Sequence, residues 1–132
     1  MIKCLNLDLK GVLLFENLTF KDNRGSFSEV FKQSEYSKYL PNIKFVQDNE
    51  SVSRYGVLRG LHYQKVGYEQ SKLIRVSYGE IQDVIVDIRK DSPTFGKHIS
   101  IILSKDNGKQ LFISHGFAHG FLVLSDFAVV NY

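Results

Sequence analysis

The sequence predicts an all-β fold. Three observations carry that reading: short β-branched runs, turn residues at close and regular spacing, and a composition rich in large aromatic rings. Leu73 to Val76 and Ile81 to Ile88 are the strongest strand segments, and Tyr78-Gly79-Glu80 between them reads as a hairpin turn. Ile99, Ile101 and Leu103 alternate with Ser100 and Ser104, the period of two expected when one strand face is buried. Asp106-Asn107-Gly108 supplies the next turn, since Asn and Gly tolerate the backbone angles of tight turns. Leu111 to Ser114 and Phe121 to Leu124 continue the pattern. The one helix candidate is Ser34 to Leu40, with Ser34 as N-cap and Pro41 as the stop. Short strands at this spacing argue for an antiparallel sandwich or barrel.

At 132 residues the chain fits a single domain, 1–132, and no Pro/Gly-rich linker, repeat or low-complexity stretch divides it. Hydrophobic residues at 43% and charged residues at 23% describe an ordinary globular chain and exclude a disordered one. A net charge of +3, with Lys and Arg scattered among the acids, tolerates anionic ligands but argues against nucleic acid as a partner. The single Cys4 excludes an internal disulfide. No apolar run approaches the roughly 20 residues that cross a bilayer, and the N-terminus lacks the apolar core of a signal peptide. A cytoplasmic protein without a membrane partner is the expectation.

Four histidines, His62, His98, His115 and His119, invite two chemical readings. Metal binding needs about three converging ligands. His115 and His119 have a ligand spacing only on a helix, which Gly116 and Gly120 disfavour, and there is no Cys pair, HxH or HExxH. Acid–base chemistry at carbon is the other reading. His62 lies in the polar strand-like segment Arg59-Gly-Leu-His62-Tyr-Gln64, and Lys72 opens the next strong strand. Inward residues of neighbouring barrel strands face one cavity. Beside both stands the plain alternative, a hydrogen-bonded structural histidine and a solvated lysine. Asp83 and Asp87 sit in an apolar strand and read as groups that orient neighbours or face water rather than as catalysts.

Seven segments occur in the order and spacing of one family. They are Arg24-Gly-Ser-Phe-Ser-Glu29, Phe45-Val-Gln47-Asp48-Asn49, Gly56-Val-Leu-Arg59-Gly-Leu-His62-Tyr-Gln64 and Gln70-Ser-Lys72-Leu-Ile-Arg-Val76. Gly79-Glu-Ile-Gln-Asp83-Val-Ile-Val-Asp87-Ile-Arg89, Ser92-Pro-Thr-Phe-Gly96 and Gly116-Phe-Ala-His119-Gly-Phe121 complete the set. Together they resemble the dTDP-4-dehydrorhamnose 3,5-epimerases of dTDP-L-rhamnose synthesis.

The resemblance implies a cupin-like antiparallel jelly-roll β-barrel, a homodimer, and no metal or organic cofactor. It implies a dTDP-linked 4-keto-6-deoxyhexose as substrate. The ketone acidifies C3 and C5, so epimerisation needs a base, an electrophile for the enolate oxygen and an acid on the opposite face. His62 matches the base, Lys72 the cation near the keto oxygen and Tyr132 the acid. Arg24, Glu29, Gln47, Asp48, Asn49, Arg59, Lys72 and His119 match positions that hold nucleotide and sugar. Phe27 matches a ring that stacks on thymine, with Phe27 as a core residue the alternative. Arg24, Phe27 and Glu29 fall in a segment that can reach the partner subunit.

Two departures bear on these expectations. Ser114-His115 stands where the family usually shows Pro, which alters a loop. The chain stops at Tyr132 inside the apolar run from Phe127, whereas family members run some tens of residues further and hold there a second site Tyr, further nucleotide contacts and the Asp that supports the catalytic His. A truncated form of weak or no activity is therefore expected. The alternatives are an epimerase acting at C3 only or on another nucleotide-linked keto-sugar, a sugar-nucleotide-binding cupin without turnover, and a metal-dependent cupin.

Overall fold

The computed structural model describes residues 2–132. Twelve strands and one helical turn run in the order β1 Ile2–Asn6, β2 Val12–Asn17, β3 Thr19–Asp22, β4 Gly25–Ser28, α1 Gln33–Tyr36, β5 Glu50–Arg54 and β6 Leu58–His62. They continue as β7 Lys72–Tyr78, β8 Glu80–Asp87, β9 His98–Ser104, β10 Lys109–Ile113, β11 Phe117–Val123 and β12 Phe127–Asn131. A six-stranded sheet, β1-β2-β10-β7-β12-β5, faces a four-stranded sheet, β6-β11-β8-β9, and β3-β4 form a separate hairpin. All pairings are antiparallel. The expected all-β, two-sheet jelly-roll arrangement is what forms. No helix is long and apolar enough to cross a membrane among the described residues.

The period of two explains the core. Ile74 and Val76 of β7, Leu111 and Ile113 of β10, and Ala128 and Val130 of β12 point inward from the larger sheet. Ile81 and Ile85 of β8, Leu103 of β9, and Phe117, Phe121 and Val123 of β11 meet them from the smaller one. The alternate residues Phe15 and Phe112 point out of the larger sheet, where Tyr36 and Leu40 cover them. The Tyr36 ring stands edge-on to Phe15 at 4.9 Å.

Two local expectations are corrected. The helical turn is Gln33–Tyr36 with Lys32 as its N-cap, so Ser34 lies inside it and caps nothing. The cause is that the backbone N–H groups of Glu35 and Tyr36 already reach the Lys32 carbonyl, which starts the turn early. The chain then leaves the helix by a turn through Leu40, directly before Pro41. Tyr78-Gly79-Glu80 is also not a hairpin: β7 and β8 lie in different sheets. Both edges of β7 are taken, by β10 and β12, so β8 must cross to the facing sheet and pairs with β9 and β11. Gly79 makes the corner at φ +78°, packed so closely on Ser125 and Phe127 that a Cβ would collide with both. Asp106-Asn107-Gly108 is a similar corner, from β9 in one sheet to β10 in the other, pinned by Asn107 Oδ1 accepting the Ser104 N–H.

Candidate active site

Strand β6 carries His62 at its last position, and His62 pairs directly across from His119 of β11. The two strands come unusually close because glycines face each other at their contact. A Cβ on Gly60 would lie 2.7 Å from the Gly120 Cα, and Gly60 adopts φ +114°. The pairing slips in register between His119 and Phe121 at this point, which lets His62 and His119 share one end of the barrel. His62 is exposed and its ring has no hydrogen-bond partner among the described residues. His119 is buried, and its Nε2 lies 2.8 Å from Asp83 Oδ2.

His62, Lys72 and His119 line one small cavity of about 50 Å³, whose far wall is the turn from Ser114 to Phe117. Lys72 also lines a larger cleft of about 880 Å³ together with Gln47, Asp48, Asn49 and Tyr132. Lys72 is therefore where the two spaces meet. Its Nζ stands 5.8 Å from the centroid of the Tyr132 ring, within cation–π range. The backbones of Tyr132 and Asn49 exchange both hydrogen bonds, at 2.8 and 3.0 Å, which ties the Gln47–Asn49 segment to the end of β12. Gln47 Nε2 donates to Asn49 Oδ1 at 2.9 Å.

The remaining expected residues lie elsewhere. Arg24 sits at the tip of the β3–β4 hairpin, where its guanidinium pairs with Asp22. Phe27 lies opposite Phe20 on the same hairpin and is 69% exposed, so its reading as a core residue is overturned: an isolated two-stranded ribbon has no core of its own to bury it. Glu29 follows the hairpin and is exposed. Arg59 Nε donates to Ser53 Oγ at 2.8 Å. None of these four lines either cavity within its own chain.

Both aspartates of β8 orient neighbours, and neither faces water. Asp87 is buried and accepts from the Arg89 backbone and guanidinium, Ser92 and Thr94, and these donors hold its carboxyl well below the usual carboxylate range. Arg89 in turn lies 4.4 Å over the Phe117 ring and packs its stem on Gly116, so this knot props the cavity wall. Asp83 is wholly buried, and that burial pushes its carboxyl up. The Asp83–His119 bond was not anticipated. The alternation signalled the burial but not the partner: Asp83 and Asp87 are in phase with Ile81 and Ile85 and so share their buried face. His115, expected to belong to an altered loop, stands on the turn before β11 and lines the small cavity. Its spacing of four from His119 runs from that turn into a strand.

Barrel and site together define a proton-transfer isomerase of the cupin-like class. The model of the dTDP-4-dehydrorhamnose 3,5-epimerases matches residues 6–132, and the chain belongs to that family. It is 51% identical over 129 residues to the dTDP-4-dehydrorhamnose 3,5-epimerase of Shigella flexneri, covering 97% of this chain and 71% of that protein. The crystal structure of the Legionella pneumophila dTDP-6-deoxy-D-glucose-3,5-epimerase, in complex with dTDP-4-keto-L-rhamnose, is similar at a TM-score of 0.93 and 44% identity, over 99% of this chain and 70% of that one. The Bacillus anthracis enzyme with TDP and pyrophosphate bound is similar at a TM-score of 0.94 and 43% identity, over 99% and 75%.

Proposed function

We propose that this chain epimerises C3 and C5 of dTDP-4-dehydro-6-deoxy-D-glucose to give dTDP-4-dehydro-L-rhamnose, a step of dTDP-L-rhamnose synthesis. The observation that carries the reading is the position of Lys72, shared by the cavity of His62 and the cleft of Tyr132. A ketone at C4 set against the Lys72 ammonium has its developing enolate oxygen stabilised, which acidifies the C–H bonds on either side. His62 takes the proton from carbon, and neutral imidazole suits that task near neutral pH. The Tyr132 hydroxyl returns a proton from the opposite face, which inverts the centre. Gln47, Asp48 and Asn49 hold the substrate in the cleft. The ligands bound by the Legionella and Bacillus relatives support this substrate class.

Arg24, Phe27, Glu29 and Arg59 complete the nucleotide site in this reading. Guanidinium groups match diphosphate oxygens as bidentate forks, and an exposed Phe27 is free to stack on thymine. Because the β3–β4 hairpin lies apart from the cavities of its own chain, it serves the site of a second copy, which makes the working form a homodimer. In this reading the enzyme works in the cytoplasm, which a charged sugar-nucleotide substrate supports.

The test is solvent deuterium incorporation into dTDP-4-dehydro-6-deoxyglucose, read by mass spectrometry, which detects slow exchange. Label at both C3 and C5 is the expected result. Label at C3 alone identifies a monoepimerase, and tight dTDP binding without label identifies a binding module. Absence of both binding and label overturns the reading.

A further inference from the structure

Asp83 is a buried acid for which the proton transfers above have no use. Its side chain is wholly shielded from solvent, its Oδ2 is bonded to His119 Nε2, and its Oδ1 has no hydrogen-bond partner among the described residues. A net negative charge left in such a place is costly, since the oxygen is shielded from bulk solvent and no donor of the described chain meets it. Burial accordingly favours the protonated form, and it outweighs the opposing pulls of His119 and Lys72. The structure therefore disfavours the state in which Asp83 is ionised and His119 is neutral with its one proton on Nε2.

We propose that Asp83 is a positioning residue for His119: a proton shared between Oδ2 and Nε2 anchors the ring, and a second proton on Nδ1 is held toward the cavity as a donor to an anionic oxygen of the substrate. With Nε2 committed to Asp83, Nδ1 is the ring nitrogen left for the space that His119 lines with His62 and Lys72. Wherever the shared proton sits between carboxyl and ring, the pair has no net charge and Nδ1–H remains. The barrel thus gains a preorganised donor without an uncompensated charge in the empty site. The same chemistry fits two substrate oxygens, the enolate and the diphosphate.

This inference rests on the epimerase reading for its substrate, but its central readout does not. In nitrogen NMR of the unaltered chain at neutral pH, His119 is expected to carry a proton on Nδ1; a bare Nδ1 beside a protonated Nε2 overturns the proposal, whatever the activity. Asp83→Ala frees the ring and is expected to lower activity or dTDP affinity about ten- to a hundredfold, the worth of a hydrogen bond to a charged group. A fall in dTDP affinity assigns the donor to the diphosphate, and a fall in exchange at constant affinity assigns it to the enolate. Asp83→Asn can donate its amide N–H to Nε2 and keep Nδ1–H, so it is expected to stay within a few fold of the parent. If Asn loses as much as Ala, or if Ala loses nothing, the proposal fails. In a His119→Ala background, Asp83→Ala is expected to add no further loss, and additive losses also overturn it. Should Asp83→Ala not fold, the NMR readout alone decides.

Discussion

Gly60 and Gly120 stand back to back across β6 and β11: a Cβ on Gly120 would lie 2.7 Å from the carbonyl oxygen of Arg59 and 3.3 Å from the Gly60 Cα. The contact sets the distance between the strand that ends in His62 and the strand that carries His119. Gly120→Ala must push the strands apart. We expect a loss of about 1–3 kcal/mol, typical of overpacking, seen as a lower urea midpoint. Deuterium exchange should fall by more than the lost folded fraction explains, because His62 moves with β6. An unchanged midpoint would show that the strands have slack.

The three groups proposed for the epimerisation should fail in different ways. His62→Ala is expected to lower exchange at both carbons by roughly 10²- to 10⁴-fold, as for loss of a general base. Lys72→Met should cost about 10²- to 10³-fold with nucleotide affinity little changed. Tyr132→Phe should leave exchange running, since His62 can swap the proton it took for solvent deuterium and deliver that to the same face, while inverted product disappears. Product stereochemistry by NMR, set beside deuterium uptake, separates these outcomes. Equal loss of both in Tyr132→Phe would remove the hydroxyl from the role of opposite-face acid.

Acid should weaken the fold through Asp87. Its folded carboxyl sits below the range it has in the unfolded chain, held there first by Arg89. A depressed carboxylate contributes stability that is fully present above its unfolded value of about 4 and is lost as pH falls toward the folded one. Asp87→Asn should therefore destabilise the chain at pH 7 and much less at pH 2. Urea melts at the two pH values check this. Equal losses would mean that hydrogen bonding, not charge, is what Asp87 supplies.

Tyr36 gives the alkaline counterpart. Burial pushes its phenol up to about 12, and its hydroxyl donates to the Val30 carbonyl at 3.3 Å. Because the folded value exceeds the unfolded one of about 10, the stability it lends is complete below pH 10 and lost as pH climbs toward 12. In an absorbance titration at 295 nm, one tyrosine of the 7 should ionise late, and Tyr36→Phe should remove that late step.

How much of this was legible in the residues depends on where the information lies. Strand positions were readable from Leu73 onward because one face of β9 alternates and the runs in β7 and β8 are β-branched. Which sheet each strand joins was not, because Gly79 makes a corner as readily as a hairpin, and only the occupied edges of β7 decide between them. Ser34 looked like a cap from its residue type, yet capping is set by the backbone two residues earlier, at Lys32. His62, Lys72, His119 and Tyr132 were found through motif order, and the structure places them around two adjoining spaces. The Asp83–His119 bond needed the pairing of β8 with β11, which no local pattern of residues states.

The passage of the chain from sheet to sheet at Gly79 and at Asn107 has a kinetic consequence. Lys72 and Tyr132 ride on the six-stranded sheet, whereas His62, His119 and Asp83 ride on the four-stranded one. The site is thus a pair of jaws, and the packed side chains between the sheets are its gauge block. One residue of slip along a strand is about 3.3 Å, enough to draw the Lys72 ammonium away from the oxygen it is proposed to meet. Any loosening of the interior would throw the jaws out of true while every strand still held its neighbours.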